Sequence, residues 1–225
     1  MNDLERRAGI VLQSLLVRVN LELMNFNDPD RKMVNGKINQ IKNETELSMS
    51  NTAAQELFEA VKATGKIEGD IAEVGVFKGG SAKVICEAKG DRRLHLFDTF
   101  DGAPEPDPFD NLEVSEEDRF GSDLDAVRKY LANFPNVNFY KGLFPGTSGP
   151  VKDSVFSLVH LDTGLHRSTY DGLEFFYPRM NRGGLIISHD YSYMTGVRKA
   201  IDEFFLDKPE IVLGLSSYQC LMIKM

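Results

Sequence analysis

Acidic residues follow the apolar segments of this chain that read most clearly as β-strands. Glu73 lies at the end of one such segment, and Asp98, Asp162 and Asp190 close three others. In open α/β sheets, ligands bind beyond the carboxyl ends of the strands, so these carboxylates would share one rim. A single acid in such a place is more often a helix cap or part of a solvated turn. Four of them on one rim predict a ligand site.

The turn after the first of these strands is rich in glycine. Residues 73–81 read EVGVFKGGS. Glycine lets the backbone approach a ligand closely, and a helix that starts at Ser81 favours an anion at its N-terminus. The spacing matches neither the dinucleotide pattern G-x-G-x-x-G nor the phosphate loop G-x-x-x-x-G-K-[ST], which argues against both ligand classes. A methionine carboxylate would suit the helix start and Glu73 would hold its ammonium group. The alternative is a tight turn without a ligand.

Asp98 has the position of a ribose-binding acid. It stands 25 positions after Glu73, near the offset of about 20 residues expected for such an acid. A ribose diol offers two donors, and a carboxylate can accept both. The alternative is a surface aspartate in a loop.

A long segment rich in Pro, Asp and Glu follows, at residues 99–119. A loop of this length in a compact domain is usually a lid, a binding loop or disordered. We expect a lid on the substrate side, with a merely solvated acidic loop as the alternative.

Alternating strand and helix patterns supply the framework for these residues. Strand patterns lie at 71–74, 94–98, 137–140, 156–162 and 185–190, and helices are expected to begin at Thr52, Ser81, Ser122, Ser168 and near Val197. The alternation predicts an α/β fold, a Rossmann-like, doubly wound, mostly parallel sheet with helices on both faces. Two short strands near 211–213 and 219–224 are close enough to form a C-terminal antiparallel hairpin.

The N-terminal part is organised differently. Residues 4–26 carry apolar residues at intervals of three and four, which mark one helix face: Leu12, Leu15, Leu16, Val19, Leu23 and Phe26. The polar stretch 27–50 is expected to be a linker or a mobile segment. An apolar stripe outside the core needs a partner surface. We therefore expect residues 1–50 to be a helical lid or oligomerisation segment of a homodimer or larger homo-oligomer, and residues 51–225 to form the α/β domain.

Composition narrows the class of protein. The net charge of −8 and the pI of about 5.1 disfavour nucleic acid as a partner. The two cysteines, Cys86 and Cys220, form neither a disulfide framework nor a zinc motif. No apolar run of 18 residues suggests a membrane span, and the N-terminus is acidic where a signal peptide would be basic. A reducing cytoplasm is the expected location.

Six short motifs together resemble the macrocin O-methyltransferase family of class I methyltransferases, which act on sugar hydroxyls of natural products. They are EVGVFKGGS at 73–81, FDTFDG at 97–102, GLFP at 142–145, YPRMNRGG at 177–184, HDY at 189–191 and QCL at 219–221. The resemblance covers about residues 48 to 225. It implies S-adenosylmethionine as cofactor, a divalent metal that is usually magnesium, a small-molecule acceptor and an oligomer whose N-terminal segment helps to cover the site.

The resemblance also assigns residues to the two sites. The expected cofactor-binding residues are Glu73, Gly75, Phe77, Gly79, Gly80, Ser81, Asp98, Phe100, Gly142 and Asp162. Asp162 and Asp190 match metal-ligand aspartates, and Asp162 is also expected to be catalytic. His189 stands where the family often has Asp, and an imidazole there would favour transition metals over Mg²⁺. The alternative for His189 is a supporting or packing role.

The chain departs from the family pattern just after Asp162. Gly164 replaces the second Asp of that pattern, and His166 replaces a Tyr. The usual carboxylate near the reacting hydroxyl is therefore missing. If residues 164–166 are extended, His166 would point to the same side and could serve as a general base. The alternatives are that His166 packs or caps the helix near Ser168. The departure also leaves open other chemistry on S-adenosylmethionine, such as elimination, cyclisation or C-methylation, or binding without catalysis.

Overall fold

The computed structural model of the chain describes residues 28–110 and 120–225. Contacts divide the chain into Met1–Gly36 and Lys37–Met225. The described part of the first unit is the start of a helix, where the Asp28 side chain accepts a hydrogen bond of 3.0 Å from the Arg31 amide. The helix expected at 4–26, and with it the oligomerisation stripe, lies outside the described residues and stays a prediction.

The first described helix begins in the first unit, and helices and strands alternate from Asn51 onwards. The helices are α1 (Pro29–Glu44), α2 (Asn51–Ala63), α3 (Gly80–Cys86), α4 (Leu124–Tyr130), α5 (His166–Phe176) and α6 (Thr195–Phe205). The strands are β1 (Asp70–Val74), β2 (Leu94–Asp98), β3 (Val137–Lys141), β4 (Phe156–Leu161), β5 (Met180–Ser188), β6 (Leu213–Gly214) and β7 (Cys220–Ile223). Among the described residues, no helix is long and apolar enough to cross a membrane.

All seven strands form one sheet in the order β3-β2-β1-β4-β5-β7-β6. Strands β1 to β5 are parallel, whereas β7 is antiparallel to both β5 and β6. The doubly wound, mostly parallel sheet and the terminal hairpin are thus confirmed. The strand order reverses between β1 and β4, and such a switch point is where ligands bind in open α/β sheets.

The pairing register brings the strand ends level at this switch point. Val74 pairs with Phe97 on one side and with Leu161 on the other, and Leu161 pairs with Ser188. The residues directly after these positions therefore meet at one edge. A level edge explains why Asp98, Asp162 and Asp190, which are spread over 92 positions of sequence, reach one site.

Four aromatic side chains form a packed cluster in the core of the domain. The Phe144 ring stacks on Phe176 at 5.2 Å, and Phe97 and Phe156 meet Phe144 and Phe176 edge-to-face at 5.2 and 5.0 Å. All four side chains are buried. Truncating one buried Phe to Ala typically costs about 3–5 kcal/mol, so this cluster contributes much of the rigidity of the sheet.

Three expected helix starts are wrong by a few residues. The cap of α2 is Ser50, not Thr52, because the Ser50 hydroxyl accepts the Ala53 amide at 3.1 Å. The cap of α4 is Asp123 rather than Ser122. Helix α5 starts at His166 instead of Ser168, because the Asp110 carboxylate accepts the His166 amide at 2.8 Å. A carboxylate supplied 56 residues earlier in the chain replaces a local cap there.

The expected linker at 27–50 contains helix α1, so that expectation is also wrong. The helix is mostly polar, so its residues show no clear helix pattern, yet Ile38 and Ile41 are buried at 1% and 2% exposure. Glu44, its last residue, forms an ion pair with Lys83 and accepts a hydrogen bond of 2.9 Å from the Tyr130 hydroxyl. These contacts with Lys83 and Tyr130 fix the end of α1 against the α/β domain.

Candidate active site

A cavity of about 540 Å³ opens at the level strand ends. Its volume lies in the range of about 300–1,000 Å³ that is typical of small-molecule sites. Residues after β1, β2, β4 and β5 line it, together with residues 46–49 ahead of α2 and 102–104 after β2. The cavity therefore occupies the switch point of the sheet.

Gly75 lets the turn after β1 pass close to the end of β4. It has φ +89°, and a Cβ atom there would lie 1.9 Å from the carbonyl oxygen of Asp162. Phe77, two residues later, has a positive φ of 50° and lines the cavity. The turn thus presents its backbone to the cavity in a conformation that a side chain at Gly75 would prevent.

Asp98 holds this turn in place. One carboxylate oxygen of Asp98 accepts the amides of Val76 and Phe77 at 2.6 and 2.8 Å, and the other accepts the Phe100 amide at 2.7 Å. A carboxylate has about four acceptor positions. Backbone amides take three of them, and the Thr99 hydroxyl, 3.4 Å from Asp98 Oδ1, donates its single proton at 2.5 Å to the Gly102 carbonyl instead. Asp98 therefore has room for one ribose hydroxyl rather than for both.

Asp162, His189 and Asp190 converge on the other side of the cavity and make a candidate metal centre. One potential ligand atom from each lies within 4.8 Å of the others. The Nδ1 atom of His189 lies 2.9 Å from Asp190 Oδ1 and 3.3 Å from Asp162 Oδ1. It is aligned for a hydrogen bond with neither and is buried without another partner among the described residues. A nitrogen held between two carboxylate oxygens in this way fits a ligand set for a cation.

The electrostatics of this cluster require positive charge. Burial lowers the pKa of His189, but the charges of Asp162 and Asp190 outweigh burial and raise that pKa to about 10. Burial likewise raises the pKa of Asp162, while the facing His189 outweighs it and lowers that pKa. A divalent cation would take the place of the imidazole proton, since metal ligands bind deprotonated.

The family model described as Macrocin-O-methyltransferase (TylF) matches residues 48–211, which include every described lining residue of the cavity except Glu46 and Leu47. The chain belongs to the macrocin O-methyltransferase family. The predicted family is therefore confirmed, and five of the six motifs, all except QCL at 219–221, lie within the matched residues.

Two curated relatives support this membership. One is the 8-demethyl-8-(2,3-dimethoxy-alpha-L-rhamnosyl)-tetracenomycin-C 4'-O-methyltransferase of Streptomyces olivaceus, 32% identical over 162 residues, or 65% of this chain and 61% of the relative. The other is the demethyldecarbamoylnovobiocin O-methyltransferase of Streptomyces niveus, 28% identical over 161 residues, or 61% of this chain and 58% of the relative. The chain thus matches about three fifths of the length of each relative.

Solved structures show the same fold. The O-methyltransferase NovP superposes with a TM-score of 0.66 at 22% identity, covering 78% of this chain and 81% of that one. A calicheamicin methyltransferase gives 0.63 at 15% identity, with 91% and 98% covered. The O-methyltransferase from Bacillus cereus, solved in complex with SAH, gives 0.58 at 14% identity, with 97% and 99% covered. The Rossmann-like methyltransferase fold is shared with all three.

Gly164, where the family pattern has a carboxylate, lines the cavity. Its φ is +66°, and a Cβ built on it would meet nothing within 4 Å. The residue therefore leaves free space in the cavity at the position where the family pattern predicts an acid.

The structure pairs His166 with carboxylates outside the described lining of the cavity. The expectation of an extended segment 164–166 is wrong, since Gly164 has a positive φ and His166 starts α5. The imidazole Nδ1 lies 2.7 Å from Asp107 Oδ2, and Nε2 lies 3.4 Å from Glu203 Oε2. His166 is absent from the described lining of the cavity. This placement indicates that His166 anchors the segment around Asp107 rather than reaching an acceptor.

Most of the other predicted site residues lie around the cavity. Those that line it are Gly75, Phe77, Gly80, Ser81, Asp98, Gly142, Asp162, His189 and Asp190. Three predicted cofactor residues are not brought to its surface: Glu73, Gly79 and Phe100. Gly79 has φ +79° at the start of α3, and Phe100 is 3% exposed. Gly79 and Phe100 therefore contribute to the shape of the turns.

Glu73 is wholly buried against His160, which the sequence pattern predicted only as part of an apolar strand. Its Oε1 lies 2.8 Å from His160 Nδ1, and neither side chain is exposed. Burial, which outweighs the contact with His160, raises the pKa of Glu73. In this position Glu73 does not reach the cavity, so the structure does not bring it to a cofactor ammonium group.

Several lining residues were missed. Leu47 and Met49 precede α2, Thr163 and Ser168 flank the start of α5, and Tyr193 follows β5. Leu47 and Met49 fall in the stretch that was expected to be a linker, so no pattern pointed to them. Thr163, by contrast, follows directly on Asp162 and could have been inferred from the rule of strand ends.

Proposed function

We propose that the protein transfers a methyl group from S-adenosylmethionine to a hydroxyl of a sugar carried by a natural product, with a divalent cation at Asp162, His189 and Asp190. The observation that carries the proposal is one cavity that joins the Gly75 turn and Asp98 to this three-residue cluster. Membership of the macrocin O-methyltransferase family supports the reaction class. Both curated relatives are named as O-methyltransferases, and the name of the tetracenomycin enzyme includes a rhamnosyl group.

The cofactor half of the site fits S-adenosylmethionine. The backbone of residues 75–77 is exposed to the cavity because Gly75 lacks a side chain and Asp98 fixes the following amides. Asp98 keeps an acceptor position for a ribose hydroxyl, and Ser81 adds a hydroxyl on the same side. The SAH complex of the Bacillus cereus protein, which has the same fold, is consistent with this half of the proposal.

The metal half fits a divalent cation with mixed oxygen and nitrogen ligands. Asp162 and Asp190 supply carboxylates, and His189 supplies a buried ring nitrogen without an aligned partner. A bound cation acts as a Lewis acid that makes an acceptor hydroxyl more acidic. Magnesium prefers oxygen ligands, so the imidazole favours manganese or another transition metal more than a set of three carboxylates would.

The chain positions the acceptor and receives its proton. A carbon–oxygen bond forms to the acceptor as the carbon–sulfur bond of the sulfonium breaks, and the hydroxyl proton leaves. Of the groups predicted to be catalytic, Asp162 lines the cavity and His166 does not. We assign Asp162, with the adjacent Asp190, as the acceptor of that proton, directly or through water.

The free space at Gly164 favours a second candidate function. Without the carboxylate of the family pattern, the site would bind S-adenosylmethionine for another reaction, such as elimination, cyclisation or C-methylation, or would bind it without turnover. An acceptor hydroxyl is then not deprotonated in the cavity. This candidate keeps the same cofactor site and differs only in the product.

Mass spectrometry, combined with the methyl carbon shift in NMR that distinguishes an O-methyl from a C-methyl product, separates the two candidates. The full chain is incubated with S-adenosylmethionine and a panel of natural-product glycosides, with chelator and then with added Mg²⁺ or Mn²⁺. A product heavier by one methyl group, dependent on metal and lost in Asp162→Asn, is the expected result. Cofactor breakdown without a methylated glycoside would favour the second candidate, and binding of S-adenosylhomocysteine without any turnover would favour a binding protein.

A further inference from the structure

Two tyrosines form an exposed aromatic pair at the mouth of the cavity. Tyr193 lines the cavity although it is 66% exposed, and Tyr218 beside it is 53% exposed. Their ring centroids lie 5.5 Å apart with an angle of 47° between the ring planes. Aromatic faces of this kind are large apolar surfaces that prefer to contact another ring or a flat apolar group.

The pair lies next to the metal centre and away from the cofactor turn. The amide of Tyr193 donates a hydrogen bond of 3.0 Å to the Asp190 carbonyl, which places Tyr193 in the tight turn that follows this metal-ligand candidate. The amide of Ser192 donates to the Tyr218 carbonyl at 3.2 Å and joins the turn to the β6–β7 hairpin. In the strand order, the β5 and β7 ends lie beyond β4, whereas Gly75 and Asp98 follow β1 and β2. The tyrosines therefore flank the side from which an acceptor would approach.

Helix α2 fixes the hairpin turn that carries Tyr218 through hydrogen bonds to its Glu56 side chain. The Glu56 carboxylate accepts hydrogen bonds of 2.5 Å from the Ser217 hydroxyl and 3.0 Å from the Gln219 side-chain amide. These two residues bracket Tyr218. Because the turn is fixed and tyrosine has few rotatable bonds, a contact with the pair costs little conformational entropy.

The charge of the cavity restricts what the acceptor carries. Its acidic lining residues are Glu46, Asp98, Asp162 and Asp190, and the lining found within residues 28–110 and 120–225 contains neither lysine nor arginine. Phosphate groups are normally bound by arginine, lysine or several backbone amides. Apart from the proposed cation, the described lining offers no positive charge to a phosphate, and so it disfavours an acceptor that carries a nucleoside diphosphate or coenzyme A.

We infer that the Tyr193–Tyr218 pair binds a planar aromatic group joined to the sugar that is methylated, so that the acceptor is an assembled, uncharged aryl glycoside. This inference rests on the proposed function for the position of the reacting hydroxyl. It also orders the reactions, because a glycosyl transfer to an aromatic acceptor must then precede methylation and supply the substrate.

Calorimetry on the full chain, with S-adenosylhomocysteine and Mn²⁺ present, tests the inference with three probes. They are naphthyl α-L-rhamnoside, methyl α-L-rhamnoside and the thymidine diphosphate ester of the same sugar. The wild type is expected to bind the naphthyl glycoside about threefold to tenfold more tightly than the methyl glycoside, and the nucleotide sugar no more tightly than the methyl glycoside. Tyr193→Ala should remove that preference and Tyr193→Phe should keep it. Ile211→Ala is the control, since Ile211 is 80% exposed and lies outside the described lining.

Three results would overturn the inference. They are equal or undetectable binding of the two rhamnosides by the wild type, a preference that survives Tyr193→Ala in folded protein, and tighter binding of the nucleotide sugar. Parallel samples with S-adenosylmethionine report methyl transfer by mass spectrometry. A preference for the naphthyl glycoside without any methylated product would contradict the proposed function and leave the aromatic site standing. Methylation without that preference would support the proposed function and contradict the aromatic site.

Discussion

Gly75 and Asp162 meet so closely that a Cβ atom on Gly75 would lie 1.9 Å from the Asp162 carbonyl oxygen. This contact joins the turn of the proposed cofactor site to the strand end that carries the proposed metal ligand. The φ of +89° adds strain for any side chain. We therefore expect Gly75→Ala to lower the free energy of unfolding by about 2–5 kcal/mol and to abolish binding of S-adenosylhomocysteine.

Chemical denaturation and calorimetry measure the two effects of Gly75→Ala. Gly65→Ala is the matched control, because a Cβ at Gly65 meets nothing within 4 Å and Gly65 has no positive φ. That variant should bind the cofactor product as the wild type does. Normal affinity in Gly75→Ala would show that the turn adapts and that its close approach to Asp162 is dispensable.

Asp98→Ala is expected to weaken S-adenosylhomocysteine binding by about 1.5–3 kcal/mol through the loss of a charge-assisted hydrogen bond. The variant also loses the acceptor of the Val76, Phe77 and Phe100 amides, so its unfolding free energy should fall as well. Calorimetry and denaturation are measured together to separate the two losses. Asp101→Ala provides the comparison, since Asp101 is in the same segment, is 75% exposed and forms an ion pair with Lys141. Unchanged affinity in Asp98→Ala would rule out the ribose assignment.

Removal of either carboxylate of the metal centre should abolish cation binding. We expect Asp162→Asn and Asp190→Asn to lose the calorimetric signal for Mn²⁺, while Asp207→Asn, an exposed ion-pair partner of Lys208, keeps it. His189→Asp should retain binding and shift the preference from Mn²⁺ towards Mg²⁺, because a carboxylate replaces an imidazole. Identical Mn²⁺ affinities in the wild type and both asparagine variants would show that Asp162 and Asp190 do not bind the cation.

The strand ends were predictable because they depend on local patterns. Buried parallel strands read as apolar runs, and the acids after them mark the rim. Asp162 and Asp190 were found in this way, and the register of β4 with β5 brings them together. Glu73 carries the same signal but lies before the last residue of β1, inside the strand, where it is buried against His160, its pairing partner on β4.

Contacts between distant segments were not predictable from local patterns. Helix α5 is capped by Asp110 rather than by Ser168, and His166 pairs with Asp107, 59 residues earlier. Helix α1 has too few apolar residues for its composition to reveal it, yet Ile38 and Ile41 are buried. Such features depend on which segments fold against each other, and no spacing rule within one segment contains that information.

His166→Ala distinguishes an anchor from a base. The variant loses the contact with Asp107, and the cap by Asp110 survives because it uses the backbone amide of residue 166. We expect the free energy of unfolding to fall by about 1–3 kcal/mol and the acceptor KM to rise. The kcat of the variant and its pH profile should stay close to those of the wild type. A general base contributes about 10²–10⁴ to the rate, so a loss of that size in kcat would restore His166 to the catalytic role.

Gly164→Asp is expected to increase kcat for hydroxyl acceptors. A Cβ at this position meets nothing within 4 Å, and Asp tolerates a φ of +66° better than most side chains do. The new carboxylate would stand where the family pattern has one, in the cavity beside Asp162, and would accept the proton of the acceptor. Gly164→Asn is the matched control, since it has the same shape and backbone demand without the basic oxygen. Steady-state methylation of one glycoside by the three proteins measures the effect, with S-adenosylhomocysteine affinity as a check on the cofactor site. Equal kcat values for the two variants would show that a carboxylate at 164 is not what limits proton removal, and that the groups already lining the cavity suffice.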